Sequence, residues 1–167
     1  MVRRPHRDRG RGHPLTDVRT KRRRALLVAA SALYAFGVWW MTLRPVPYDA
    51  ETAGFIRRFL EILAAWPPTA WVTFDVVEFS ANVVMFVPLG LLVLAWGGRP
   101  WHGILGGLAL SAMIETTQLL FLPTRVADVR DVVANTAGAA LGVLVGALIA
   151  RAVRSHSERI ALAIESS

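Results

Sequence analysis

Seven polar side chains are placed where chemistry is possible: Asn82, Glu115, Gln118, Arg125, Asp128, Asp131 and Asn135. Most of them lie in or just beside a long apolar run, where an ionisable group costs about 2.5 to 3.5 kcal/mol on insertion scales, so it needs a reason to be there. A carboxylate such as Glu115 serves as a general base when burial raises its pKa. Arg125 suits an anionic group. Asp128 and Asp131, three apart, are either orienting groups or weak candidates for a hard divalent ion, and whether a metal binds stays open. The amides of Asn82, Gln118 and Asn135 fit a hydrogen-bonded head group. The chain has no cysteine, and its four histidines, His6, His13, His102 and His156, lie away from these residues. A Cys or His nucleophile is therefore not expected, and no cofactor is implied.

The elements that must carry these residues follow from composition. Apolar residues make up 54% of the 167 and charged residues 19%, which describes an integral membrane protein more readily than a soluble domain. The net charge of +7 is concentrated at one end, where ten of the 19 Lys and Arg residues precede Ala25. A basic tail abutting an apolar run fits an anionic inner-leaflet surface; no groove-reading or base-stacking module accompanies it, so no nucleic-acid partner is expected.

Residues 1–24 read as a disordered basic tail, because they hold too little apolar surface to fold alone. The apolar run 25–43 is long enough to span, too long for a signal peptide, and is not followed by a small-residue cleavage site. Residues 50–66 place Phe55, Phe59, Ile62, Leu63 and Trp66 at helical spacing, the pattern of an amphipathic interfacial helix or a lid. Further spans are expected at about 76–96, 101–122 and 131–152, with Pro88 kinking the first of these and a short turn at 97–100 forcing an antiparallel return. Residues 154–167 form a C-terminal tail. The predicted fold class is all-α integral membrane: four transmembrane helices plus one amphipathic interfacial helix, in one membrane domain over 25–153.

Charge sets the orientation. With both termini cytoplasmic, 14 Lys and Arg residues fall inside and five, Arg44, Arg57, Arg58, Arg125 and Arg130, outside. In that topology Asn82, Glu115 and Asn135 lie roughly 6 to 11 Å below the outer boundary, on three different helices, with Asp128, Asp131 and Arg125 above them. Ser111, Glu115 and Gln118 share one helical face. Asp131, Asn135, Gly138 and Gly142 share another, and Gly146 extends a small-residue pattern suited to close packing. Interhelical hydrogen bonding alone would account for the amides, but not for a carboxylate at Glu115, where Asn would serve without desolvating a charge.

The blocks Asn82 with Phe86, Val87, Pro88, Leu89 and Gly90, then Glu115 and Gln118, then Arg125, Asp128, Asp131, Asn135 and Gly138 resemble the VanZ-like family of small multi-pass bacterial membrane proteins. The resemblance covers about 25–153. It implies a role in the bacterial cell envelope and a location in the plasma membrane, and the family's namesake is linked to resistance to the lipoglycopeptide teicoplanin. The function expected is an outer-face polar cavity binding a membrane lipid, a lipid-linked cell-wall precursor or a lipoglycopeptide tail. The alternative is an enzyme acting on a lipid or glycan at the outer leaflet with buried carboxylates. Transport is a third reading; four helices without a detectable repeat leave little room for alternating access except in a homo-oligomer.

Overall fold

The computed structural model describes residues 14–43, 50–122 and 128–165. Five α-helices follow in order: α1 (Pro14–Leu43), α2 (Ala50–Ala64), α3 (Phe74–Ala95), α4 (Pro100–Phe121) and α5 (Val129–Glu165), with a 3-10 turn at Pro67–Thr69. Among the described residues there is no strand. Four of the helices, over Val18–Leu43, Phe74–Ala95, Pro100–Phe121 and Val129–Ile164, are long and apolar enough to cross a membrane.

Two helices run further than the sequence suggests. Residues 14–24, expected to be disordered, are helical in α1. Arg and Lys are good helix formers, and extending an existing helix avoids the cost of a new nucleus, so the apolar run carries the basic segment with it. Residues 1–13 lie outside the described residues. At the other end α5 continues to Glu165, a length of 37 residues, or roughly 55 Å, well beyond the hydrocarbon core.

The turn between α3 and α4 is set by local chemistry. Gly97 has φ +86, a conformation that favours glycine. The Gly98 N–H donates to the Val93 carbonyl at 2.8 Å and the Gly97 N–H to that of Leu94 at 2.9 Å, the paired bonds of a Schellman ending. Pro100 then opens α4 where a missing N–H costs nothing, and the Arg99 N–H donates to His102 Nδ1 at 3.0 Å. The two helices are thereby forced antiparallel.

The most extensive packing is between α3 and α5, followed by α4 with α5 and α3 with α4. Small residues make the α3–α5 contact possible. A methyl on Gly138 would meet the Val83 carbonyl oxygen, and one on Gly142 would meet that of Val87, so only hydrogens fit between the backbones. α3 passes through Pro88 without ending. α1 packs on α3 and α4, where Val38, Phe86 and Ile114 form a buried cluster. α5 packs on the same pair, and α1 and α5 share no substantial contact, so the α3–α4 pair separates them.

α2 has Phe55, Phe59 and Ile62 exposed, with Trp66 just beyond it, and its main packing partner is the 3-10 turn. Thr69 donates to the Leu63 carbonyl at 2.7 Å and the Trp71 indole to Pro68 at 2.9 Å, holding the turn against the helix. These exposed aromatic and aliphatic side chains on a short helix suit an interface.

Candidate functional site

The polar residues gather at the end of the bundle where α3 and α5 begin and α4 finishes. Thr73 caps α3 by accepting from the Val76 N–H at 3.4 Å, and Asp75 adds negative charge to the first turn. Two turns into α3, the Asn82 amide donates to Asp131 Oδ1 at 2.7 Å, joining α3 to the start of α5. Asp128 precedes α5, and its Oδ1 accepts from the Arg130 N–H at 2.8 Å, the bond of an N-cap.

Glu115 on α4 is only 8% exposed, and its Oε2 accepts from the Asp128 N–H at 2.9 Å. A buried carboxylate here meets a backbone donor at the positive end of a helix, an environment that helps offset its desolvation. One turn deeper, the Asn135 amide of α5 donates to Ser111 Oγ of α4 at 2.8 Å, with both residues buried. Asn135 Oδ1 has no hydrogen-bond partner although it is buried. Such a carbonyl oxygen is an unmet acceptor, since about nine in ten buried polar groups are paired.

Gln118 departs from the group. It is buried, and its amide donates away from α5, to the Thr42 carbonyl at the end of α1 at 2.8 Å. The Thr42 hydroxyl in turn donates to the Val38 carbonyl at 2.7 Å. Of the seven residues, the structure therefore pairs Asn82 with Asp131 and Glu115 with Asp128, sets Asn135 against Ser111, and uses Gln118 to hold α1. Arg125 lies outside the described residues.

Three participants escaped the choice of site residues. Ser111 lay on the small-residue stripe and was legible there, four before Glu115. Glu78 sits one turn before Asn82, within electrostatic range of Asp131, Asp75, Asp128 and Arg130; its i, i+4 relation to Asn82 was the available signal. Arg130 approaches Asp75 at 3.6 Å with both side chains more than half exposed, a contact worth little. Among the described residues no group of three or more His, Asp or Glu side chains is arranged to hold a metal ion. Asp128 and Asp131 are instead engaged by the Arg130 backbone and the Asn82 amide.

A cavity of about 750 Å³ opens on the other side of the α3–α4 pair, between it and α1. Its walls include Tyr34, Val38, Leu89, Leu110 and Ile114, and none of the seven predicted residues. α1 is clasped at both ends of it: by Gln118 to Thr42 at one end, and at the other by the Trp96 indole donating to Ser31 Oγ at 3.1 Å and Arg23 donating to the Ala95 carbonyl at 2.6 Å.

Four apolar spans, a polar layer at one end and a shorter fifth helix define a small polytopic membrane protein. The chain belongs to the VanZ/LLP1 family, whose sequence model matches residues 31–150. The match contains Asn82, Glu115, Gln118, Arg125, Asp128, Asp131 and Asn135, and leaves the basic turn of α1 and the end of α5 outside it. No curated protein and no solved structure matches the chain.

Proposed function

We propose that this protein is a VanZ-type factor of the bacterial cell envelope that holds a lipid-type ligand at the polar end of the bundle. The ligand class is a membrane lipid, a lipid-linked cell-wall intermediate or the acyl tail of a lipoglycopeptide such as teicoplanin. Asn82 and Asn135 supply hydrogen bonds to its head, Arg125 meets an anionic group, and α2 covers the hydrocarbon part at the outer leaflet. Both termini are cytoplasmic in this reading, which places the polar end outside.

The observation that carries the proposal is the buried Asn135 Oδ1, an acceptor without a partner, one turn from Asp131 and beside Ser111. The Asp128 backbone N–H donates to Glu115 Oε2, so the carboxylate that the catalytic alternative would use as a base also holds the start of α5. Native mass spectrometry of the purified chain with its retained lipids tests this. A specific species should be held by the unaltered protein and reduced at least tenfold in Asn135→Ala at equal protein level. Equal retention would remove the polar layer from the binding function.

A further inference from the structure

The cavity between α1 and the α3–α4 pair is a second place for a ligand, and three observations describe what it takes. First, it lies in the membrane-spanning part of the fold and is walled chiefly by apolar side chains, among them Val38, Leu89, Leu110 and Ile114. A space of about 750 Å³ is within the usual range of sites for small amphipathic ligands, and in a membrane the neighbouring solvent is hydrocarbon. Second, Tyr34 lines it and the Tyr34 hydroxyl is buried with no hydrogen-bond partner. Because that hydroxyl is buried, the cavity meets the Tyr34 ring rather than its oxygen, a wall suited to a hydrocarbon chain.

Third, the charge at one end of the cavity is strongly positive. Arg23, Leu27 and Ser31 follow one another at four-residue spacing, so the face of α1 that reaches the cavity at Ser31 continues into the basic turn. Arg19, Arg22 and Arg23 line a smaller concavity there with Leu26 and Leu27. Arg23 gives one N–H to the Ala95 carbonyl and, like any guanidinium, carries further donors suited to a phosphate.

We propose that this cavity is a site for an anionic glycerophospholipid from the leaflet on the N-terminal side of α1. The phosphate rests among Arg19, Arg22 and Arg23, and one acyl chain runs along α1 to fill the space behind it. The lipid then forms part of the seam between α1 and the rest of the bundle, where direct contact is sparse and polar clasps hold only the two ends. The site shares with the proposed function the membrane setting alone. It lies across the α3–α4 pair from Asn135 and does not depend on the polar layer.

The test uses the full chain in phosphatidylcholine nanodiscs doped with phosphatidylglycerol carrying a diazirine in its acyl chain. Illumination should label peptides of α1 around Tyr34 and of α4 around Leu110, and unlabelled phosphatidylglycerol should compete at least tenfold better than phosphatidylcholine. Ala35→Trp, which fills the cavity from α1, should reduce labelling at least tenfold; if it fails to fold, Met113→Trp fills it from α4. Replacing Arg19 and Arg22 together by Gln should abolish the preference for the anionic lipid. Asn135→Ala should leave labelling unchanged, which separates this site from the polar layer. Labelling spread over the outer faces of all the spans, or equal competition by the two lipids, would mean surrounding lipid only and overturn the proposal.

Discussion

Asn82 and Asp131, 49 residues apart in sequence, meet through a 2.7 Å hydrogen bond across the most extensively packed pair of helices in the protein. The bond ties the third turn of α3 to the first turn of α5 and sets how deep the two helices lie relative to each other. Asn82→Ala should destabilise the protein by about 1 to 3 kcal/mol, because it deprives a partly buried carboxylate of a donor. A double-mutant cycle with Asp131→Ala, read by thermal unfolding in detergent, should give a coupling of at least about 0.5 kcal/mol. Additive effects would show that the pair does not fix the register.

The glycine face of α5 makes a sharper stability prediction. Gly142→Ala pushes a methyl into the Val87 carbonyl oxygen and should cost about 1 to 3 kcal/mol by overpacking. Gly106→Ala places the same methyl where nothing lies within 4 Å, and should be neutral or stabilising by up to about 1 kcal/mol. Equal effects of the two substitutions on the melting temperature would refute the close approach of α3 and α5.

Glu115 separates charge from shape. Glu115→Gln retains an acceptor for the Asp128 N–H but exchanges a charge-assisted bond for a neutral one, so it should cost about 1 kcal/mol or less. Glu115→Leu removes the acceptor at the start of α5 and should cost at least about 2 kcal/mol. If the glutamine variant also retains the co-purifying lipid at full occupancy, charge at this position is dispensable for binding and the catalytic alternative loses its best base.

Orientation is checked by labelling. The chain has no cysteine, so single cysteines at Ala70, in the segment between α2 and α3, and at Ser157, near the end of α5, give unambiguous signals. A membrane-impermeant thiol reagent should modify Ala70→Cys in intact cells and spare Ser157→Cys until the membrane is opened. The reverse pattern would put the polar layer on the cytoplasmic side.

Sequence by itself determined the family and the all-helical membrane architecture, because span-length apolar runs punctuated by Pro and Gly admit few other solutions in a bilayer. It also placed the contact stripe of α5: Gly138 and Gly142 lie on the face with Asn135, as spacings of three and four require. The length of α1 was not legible, since a basic segment with little apolar content reads as disorder when its continuity with the helix after it is ignored. Partners were not legible either. Spacing put Gln118 on the same face as Glu115, yet one side chain reaches α1 and the other the start of α5, because residues three apart on a helix diverge by about 60° and two neighbours wait on either side. Only the tertiary structure placed α1 and α5 on opposite sides of the α3–α4 pair. The unequal packing there, tight where glycines let backbones touch and looser where α1 meets the pair through the Val38, Phe86 and Ile114 cluster and its two end clasps, left the cavity, and such a space comes from what fails to meet rather than from any residue that a sequence displays.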